Sequence, residues 1–242
     1  VPFITAGDPE PGITLDLMHA LVRGGADVIE LGVPFSDPMA DGPVIALAAE
    51  RALAAGTNTL DALNMVKEFR EQDQETPVVL MGYLNPVMQY GMEKFFTDAG
   101  KVGVDGLIVP DLPMQQYLDE YKSLFDSYGL VNTFLISPQT SEKRIREIDE
   151  NTDGFIYMVS SHSITGAKAD ISDEQIAYFE RVKAMNLKNP RLIGFGISDA
   201  QTFTTASQYS NGAIIGSAFI KKIKDAQDLS QEIQDYLRAV KA

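Results

Sequence analysis

Glu30 and Asp41 are the residues whose type and setting could carry acid–base chemistry. Glu30 lies inside the apolar run Val28-Ile29-Glu30-Leu31, which reads as a strand buried on both faces. A carboxylate in such a strand is costly to bury unless it is paired or has a task. The strand stops at Gly32, and a loop with two prolines leads to Asp41-Gly42-Pro43, where Pro just inside a helix start is ordinary punctuation. One carboxylate thus belongs to a strand's C-terminal end and the other to the loop it feeds, the edge at which parallel α/β folds bind ligands. The competing structural reading is a core Glu satisfied by a partner, with Asp41 as a helix N-cap. Under the chemical reading, burial should raise the pKa of Glu30 enough to let it carry a proton near neutrality. Asp41, on a loop, is expected to stay ionised and to orient or stabilise a developing cation.

The elements that must position them alternate along the chain. Strands are expected at 1–6, 28–31, 78–81, 106–109, 130–136, 154–159, 191–193 and 212–215. Helical spacing is expected at 14–23, 43–55, 60–69, 92–99, 117–128, 142–150, 173–185, 200–209 and 218–240. The refrain G-A-D-V-I-E, G-V-D-G-L-I-V, T-D-G-F-I-Y, S-N-G-A-I-I enters strand after strand. No Pro/Gly/Ser linker divides the chain, so residues 1–242 read as a single domain. Eight such units at this length favour a closed (β/α)8 barrel over a doubly wound sheet.

In a barrel the chemistry collects on the loops that follow the strands. These offer Glu30 and Asp41 after strand two, Asp111 after four, Ser160–Gly166 after six, Gly194–Ser198 after seven and Gly216-Ser217 after eight. Glycines with a hydroxyl ahead of a helix leave backbone N–H groups free to hold a phosphate, and loops seven and eight are where barrels repeatedly place one. Phe3, Tyr83, Tyr157 and Phe195 each fall at or beside a strand end. Each alone reads as core packing; four near one rim would suit a flat apolar substrate group.

Composition narrows the partners. Twenty Lys+Arg against 34 Asp+Glu give a net charge of −14, which argues against nucleic acid and anionic membrane. With no Cys and only His19 and His162, neither a disulfide framework nor a Cys/His metal centre is expected. No apolar run approaches a bilayer span of about 20 residues. A soluble chain of a reducing, cytoplasmic compartment is expected. The sequence opens on Val1 rather than Met, so residues upstream are expected as well.

Ile29–Gly42, I-E-L-G-V-P-F-S-D-P-M-A-D-G, resembles the signature of the tryptophan synthase alpha chain family. P-F-I-T-A-G-D-P at the start, N-P after strand three, P-D-L-P after strand four, I-T-G-A in loop six, G-F-G-I-S and G-A-I-I-G-S-A are similar to that family in the same order, over nearly the whole chain. The resemblance implies a (β/α)8 barrel that cleaves indole-3-glycerol phosphate to indole and glyceraldehyde 3-phosphate without metal or cofactor. By position it implies that Glu30 is the catalytic acid–base and Asp41 the carboxylate facing the indole N–H. Phe3, Tyr83, Tyr157 and Phe195 would surround the indole. Gly166, Gly196, Gly216 and Ser217 would seat the phosphate, and Thr165 would bond the loop-two aspartate on closure. It further implies a beta-chain partner in a heterotetramer of two alpha and two beta chains, docked at Asp37, Pro38 and Asn85. Pyridoxal phosphate would belong to that partner; no lysine here has a Schiff-base context.

Two departures stand out. Loop six reads S-S-H-S-I-T-G where familiar members have S-R-A-G-V-T-G, so Ser161 and Ser163 should alter lid closure. The family's usual N-terminal helix has no counterpart in this sequence. Two other functions compete: a different phosphate-binding barrel, such as a sugar-phosphate epimerase or aldolase, and a non-catalytic activator of a beta chain. The first lacks a Schiff-base lysine or clustered metal ligands, and the second has no need of Glu30, Asp41 and the phosphate loops together.

Overall fold

The computed structural model describes residues 1–160, 171–194, 196–224, 226 and 228–241. Eight strands, β1 (Phe3–Thr5), β2 (Ile29–Gly32), β3 (Val78–Met81), β4 (Gly106–Ile108), β5 (Val131–Ile136), β6 (Ile156–Val159), β7 (Arg191–Gly194) and β8 (Gly212–Ala213), form one parallel sheet in sequence order. A parallel bridge from Pro2 to Ile215 brings the last strand back to the first. The Phe3 amide donates to Ile215 O at 2.8 Å and the Ile215 amide to Val1 O at 2.9 Å. The sheet is therefore closed as the barrel that the alternation predicts.

Alternation along the strands makes two cores. Phe3, Val79, Met81, Ile108, Tyr157, Leu192 and Ile214 fill the interior. The intervening Ile4, Leu31, Leu80, Leu107, Met158 and Ile193 pack outward under the helices. The register sets Phe3 beside Glu30 and Glu30 beside Val79, so Glu30 shares the inward face with the interior set. Ile29 and Leu31, on either side of it, belong to the outer core.

Local rules end the elements where the sequence expects. Pro43 opens the helix Pro43–Ala54. Gly103 and Gly129 close the helices before β4 and β5 in the left-handed conformation. Three elements differ from the sequence reading. Leu84–Tyr90 is a helix although Pro86 lies in it, because a first-turn proline lacks only an N–H that had no partner anyway. The stretch before β5 passes through a π-helical turn at Tyr117–Tyr121 rather than one even helix. The closing helix is two, Ser217–Ile223 and Leu229–Lys241. Asp228 makes the second start, accepting the Gln231 amide on its side chain and the Glu232 amide on its carbonyl. Among the described residues, no helix is long and apolar enough to cross a membrane.

Loop one is tied to the helix that follows loop two. Arg51 of Pro43–Ala54 donates Nε and Nη2 to the two oxygens of Asp8, at 2.7 and 3.0 Å, and Asp8 is only 4% exposed. Arg51→Met should strand this carboxylate. A loss of about 2 kcal/mol is expected in urea unfolding, because a buried charge loses its partner. An unchanged midpoint would show that Asp8 finds solvent when released.

Candidate active site

The site forms where β1, β2 and β3 meet at their C-terminal ends. Glu30 is 2% exposed, and its Oε2 is buried with no hydrogen-bond partner among the described residues. Burial raises its pKa first, and the neighbouring Asp41 charge raises it further, to about 8. The side chain therefore holds its proton at neutrality, as the sequence reading expects. Two glycines permit the dense packing that dries this interior. A Cβ on Gly32 would stand 2.5 Å from Phe3 Cζ, and one on Gly194 2.6 Å from Tyr157 Cε1. Each ring lies over a glycine of the next strand in the register. Burial, then the charges of Glu30 and Asp41, push the Tyr157 hydroxyl well above its ordinary pKa.

Asp41 is not the N-cap of the following helix; that position is Gly42, with no side-chain cap bond. Instead Tyr83 donates its hydroxyl to Asp41 Oδ2 at 2.9 Å and accepts the Ala40 amide at 2.9 Å. Burial raises the Asp41 pKa and the Tyr83 hydrogen bond pulls it back. The loop carboxylate is therefore more enclosed than a loop position suggests. Asp111, the loop-four carboxylate, is engaged by the backbone next to Tyr83. It accepts the Leu84 amide with both oxygens, at 3.0 and 3.2 Å, and fixes loop three beside Tyr83.

A cleft with about 250 Å³ of empty space, part of it open to solvent, lies here. Its walls are Phe3, Met81, Tyr83, Phe35 and Ile45, with Asp41 and Thr5 among them. Thr5 is the residue that sequence reasoning missed. Its signal was its place two residues after Phe3, on the same inward face of β1.

The glycine loops behave unequally. Gly196 is exposed with φ +83°. Asp199 caps the helix after β7, accepting the Thr202 amide at 2.9 Å, so that helix start is already occupied by an internal carboxylate. Gly216 is the N-cap of Ser217–Ile223 and supplies no side-chain cap, so among the described residues this helix start lacks the carboxylate that Asp199 gives the helix after β7. Ile45 and Phe3 lie against Gly216, placing it beside the cleft. Asp37 is exposed on loop two and Asn85, expected on the loop after β3, is exposed in the first turn of the helix Leu84–Tyr90, while Pro38 lines the cleft. Met39 beside them is 76% exposed. Thr165, Gly166 and Phe195, with the loop-six departures Ser161, His162 and Ser163, lie outside the described residues.

Fold and site together define a (β/α)8-barrel enzyme with a buried, protonated carboxyl beside a second, hydrogen-bonded carboxylate at the strand C-termini. A family model described as tryptophan synthase alpha chain matches residues 1–241. The tryptophan synthase alpha chain of Flavobacterium johnsoniae is 46% identical over 239 residues, covering 99% of this chain and 93% of that one. The crystal structure of tryptophan synthase alpha chain from Legionella pneumophila superposes with a TM-score of 0.88 at 41% identity, over 99% of this chain and 88% of that one. A chain of the tryptophan synthase complex from Pyrococcus furiosus does so with a TM-score of 0.88 at 34% identity, over 99% and 96%. The chain belongs to the tryptophan synthase alpha chain family.

Burial of Glu30 gives the stability a distinctive pH dependence. Below its unfolded-state value of 4.5 the carboxyl is neutral in both states, and folding carries no charge penalty. As pH rises towards about 8 the unfolded state ionises while the folded state keeps its proton, so this contribution to stability is lost across that window. Glu30→Gln should remove the slope. The stability difference between wild type and variant should change by on the order of 4 kcal/mol between pH 4.5 and 8 in urea titrations. Parallel curves would mean that Glu30 ionises freely in the folded protein.

Proposed function

We propose that Glu30 and Asp41 carry the cleavage of indole-3-glycerol phosphate that defines the tryptophan synthase alpha chain family, with residues 1–242 as one catalytic unit. The supporting observation is the Glu30 carboxyl, which is buried, protonated at neutral pH and unpaired at Oε2, next to Asp41. Neutral Glu30 gives its proton to indole C3, and the resulting carboxylate takes the proton of the glycerol hydroxyl next to the scissile bond. The C–C bond then breaks, its electron pair returns to the indole ring, and the hydroxyl-bearing carbon becomes the aldehyde of glyceraldehyde 3-phosphate. Glu30 ends protonated, so the cycle closes without an added proton. Asp41, held by Tyr83, accepts the indole N–H and stabilises its positive charge in the protonated tautomer.

The ring lies among Phe3, Tyr83, Tyr157 and Phe195. The phosphate sits on Gly166, Gly196, Gly216 and Ser217, and Thr165 closes on loop two. Indole passes to a beta chain. That partner docks at Asp37, Pro38 and Asn85, carries the pyridoxal phosphate, and completes a heterotetramer of two alpha and two beta chains in the cytoplasm. This chain works without a cofactor of its own.

Indole release from indole-3-glycerol phosphate, measured with and without a beta chain, tests the reading. Glu30→Gln should lower kcat by about 10²–10⁴-fold in a protein that still folds. Retained turnover would remove Glu30 from the proton path. Rate against pH should be bell-shaped, with its basic limb near 8 set by Glu30 and its acidic limb set by Asp41. Because the Tyr83 bond lowers the Asp41 pKa, Tyr83→Phe should move the acidic limb upward. A limb that stays in place would assign it to another group.

A further inference from the structure

The cleft contains one polar group that the mechanism above leaves unused. Thr5 is 3% exposed and lines the cleft with Asp41 and Tyr83, and its Oγ1 is buried without a hydrogen-bond partner among the described residues. Burying an unmatched hydroxyl costs free energy, and valine would fill the same shape without that cost. An orphaned hydroxyl on the wall of a ligand cleft therefore points to a partner that arrives with the ligand.

Its place around the barrel says which part of the ligand. Gly216 and Ser217 follow β8, which the Pro2–Ile215 bridge joins to β1. Glu30 stands on β2, and Tyr83 stands two residues past Met81, the end of β3. Thr5 lies on β1 opposite Gly32, two residues past Phe3 and about 7 Å nearer the barrel mouth. A molecule with its phosphate at Gly216–Ser217 and its ring against Tyr83 must cross the inward face of β1. For the substrate of the proposed function, on which this inference rests, the crossing segment is the glycerol chain with its two hydroxyls.

We propose that the Thr5 hydroxyl hydrogen-bonds a glycerol hydroxyl of the substrate and orients the chain for proton transfer at Glu30. Thr5 touches the substrate but moves no proton.

The test pairs two ligands with two variants of the full chain. Indole-3-glycerol phosphate carries the hydroxyls; 3-(indol-3-yl)propyl phosphate has the same ring and phosphate without them. Thr5→Val should lower kcat/KM for the substrate about 10- to 100-fold, the range of one lost hydrogen bond to a buried group. Its affinity for the hydroxyl-free analogue should stay within about twofold of wild type, and its Tm should not fall, since no intramolecular bond is removed. Thr5→Ser, which keeps the hydroxyl, should recover most of the activity. Equal losses on substrate and analogue would make Thr5 a shaping residue and overturn the proposal, as would an unchanged kcat/KM in Thr5→Val. A wild-type chain that neither cleaves the substrate nor binds the analogue would overturn the functional reading itself, and this inference with it.

Discussion

A carboxyl group enclosed in an apolar barrel is the constraint on which the site depends. Glu30 could be exchanged for a valine or isoleucine with a gain in burial energy, and its immediate neighbours Ile29 and Leu31 show that the strand is otherwise built that way. The environment keeps the group neutral rather than compensating its charge. Phe3 and Tyr157 press against the barrel wall at Gly32 and Gly194, and Val79 flanks Glu30 in the register. A side chain on either glycine would push a ring aside, loosen the interior and lower the Glu30 pKa towards its ordinary value. The glycines of I-E-L-G and I-G-F-G are thus part of how the acid is tuned, although neither bears a functional group.

The two carboxylates are set apart by their surroundings. Glu30 has low-dielectric packing and no resolved partner at Oε2, so the protonated form wins. Asp41 is also enclosed enough to be shifted upward, but it receives a phenol hydrogen bond that favours its charge. The direct repulsion between them works the same way: while Asp41 is charged, Glu30 holds its proton more firmly. The surroundings thus favour the acid form at Glu30 and, through the phenol, the anion at Asp41. This is the arrangement needed to protonate a carbon while stabilising a positive charge on the same ring.

Much of this was legible in the sequence, and the limits have physical causes. The period of the apolar runs gave all eight strands to within a few residues, and the glutamate in β2 stood out because nothing apolar explains it. Asp41 was legible as a candidate but not as an enclosed residue, since its cover comes from Tyr83, forty-two residues away in sequence. At the helix after β7, Asp199 accepts the Thr202 amide, a cap that the glycines ahead of it do not announce. The break at Asp228 and the helix at Leu84–Tyr90 depend on which backbone groups lack partners, which composition does not reveal. Thr5 escaped because a threonine in a strand is unremarkable by propensity, and only the missing hydrogen bond marks it.

The Tyr83 hydroxyl joins more than a side chain to a carboxylate. By taking the Ala40 amide and giving its proton to Asp41, it fastens loop two to the end of β3 at two points. Asp111 fastens the adjoining Leu84 amide to loop four. Three loops are thus bound in series; loop two carries the exposed Asp37 and Met39, and the helix that follows Tyr83 carries the exposed Asn85 and Met88. A partner seated on that face cannot shift loop two without stretching the bonds that hold Asp41, nor settle it without tightening them. The Tyr83 bond favours the charge on Asp41, and that charge raises the Glu30 pKa, so a partner docked as proposed would act on both carboxylates through one phenol.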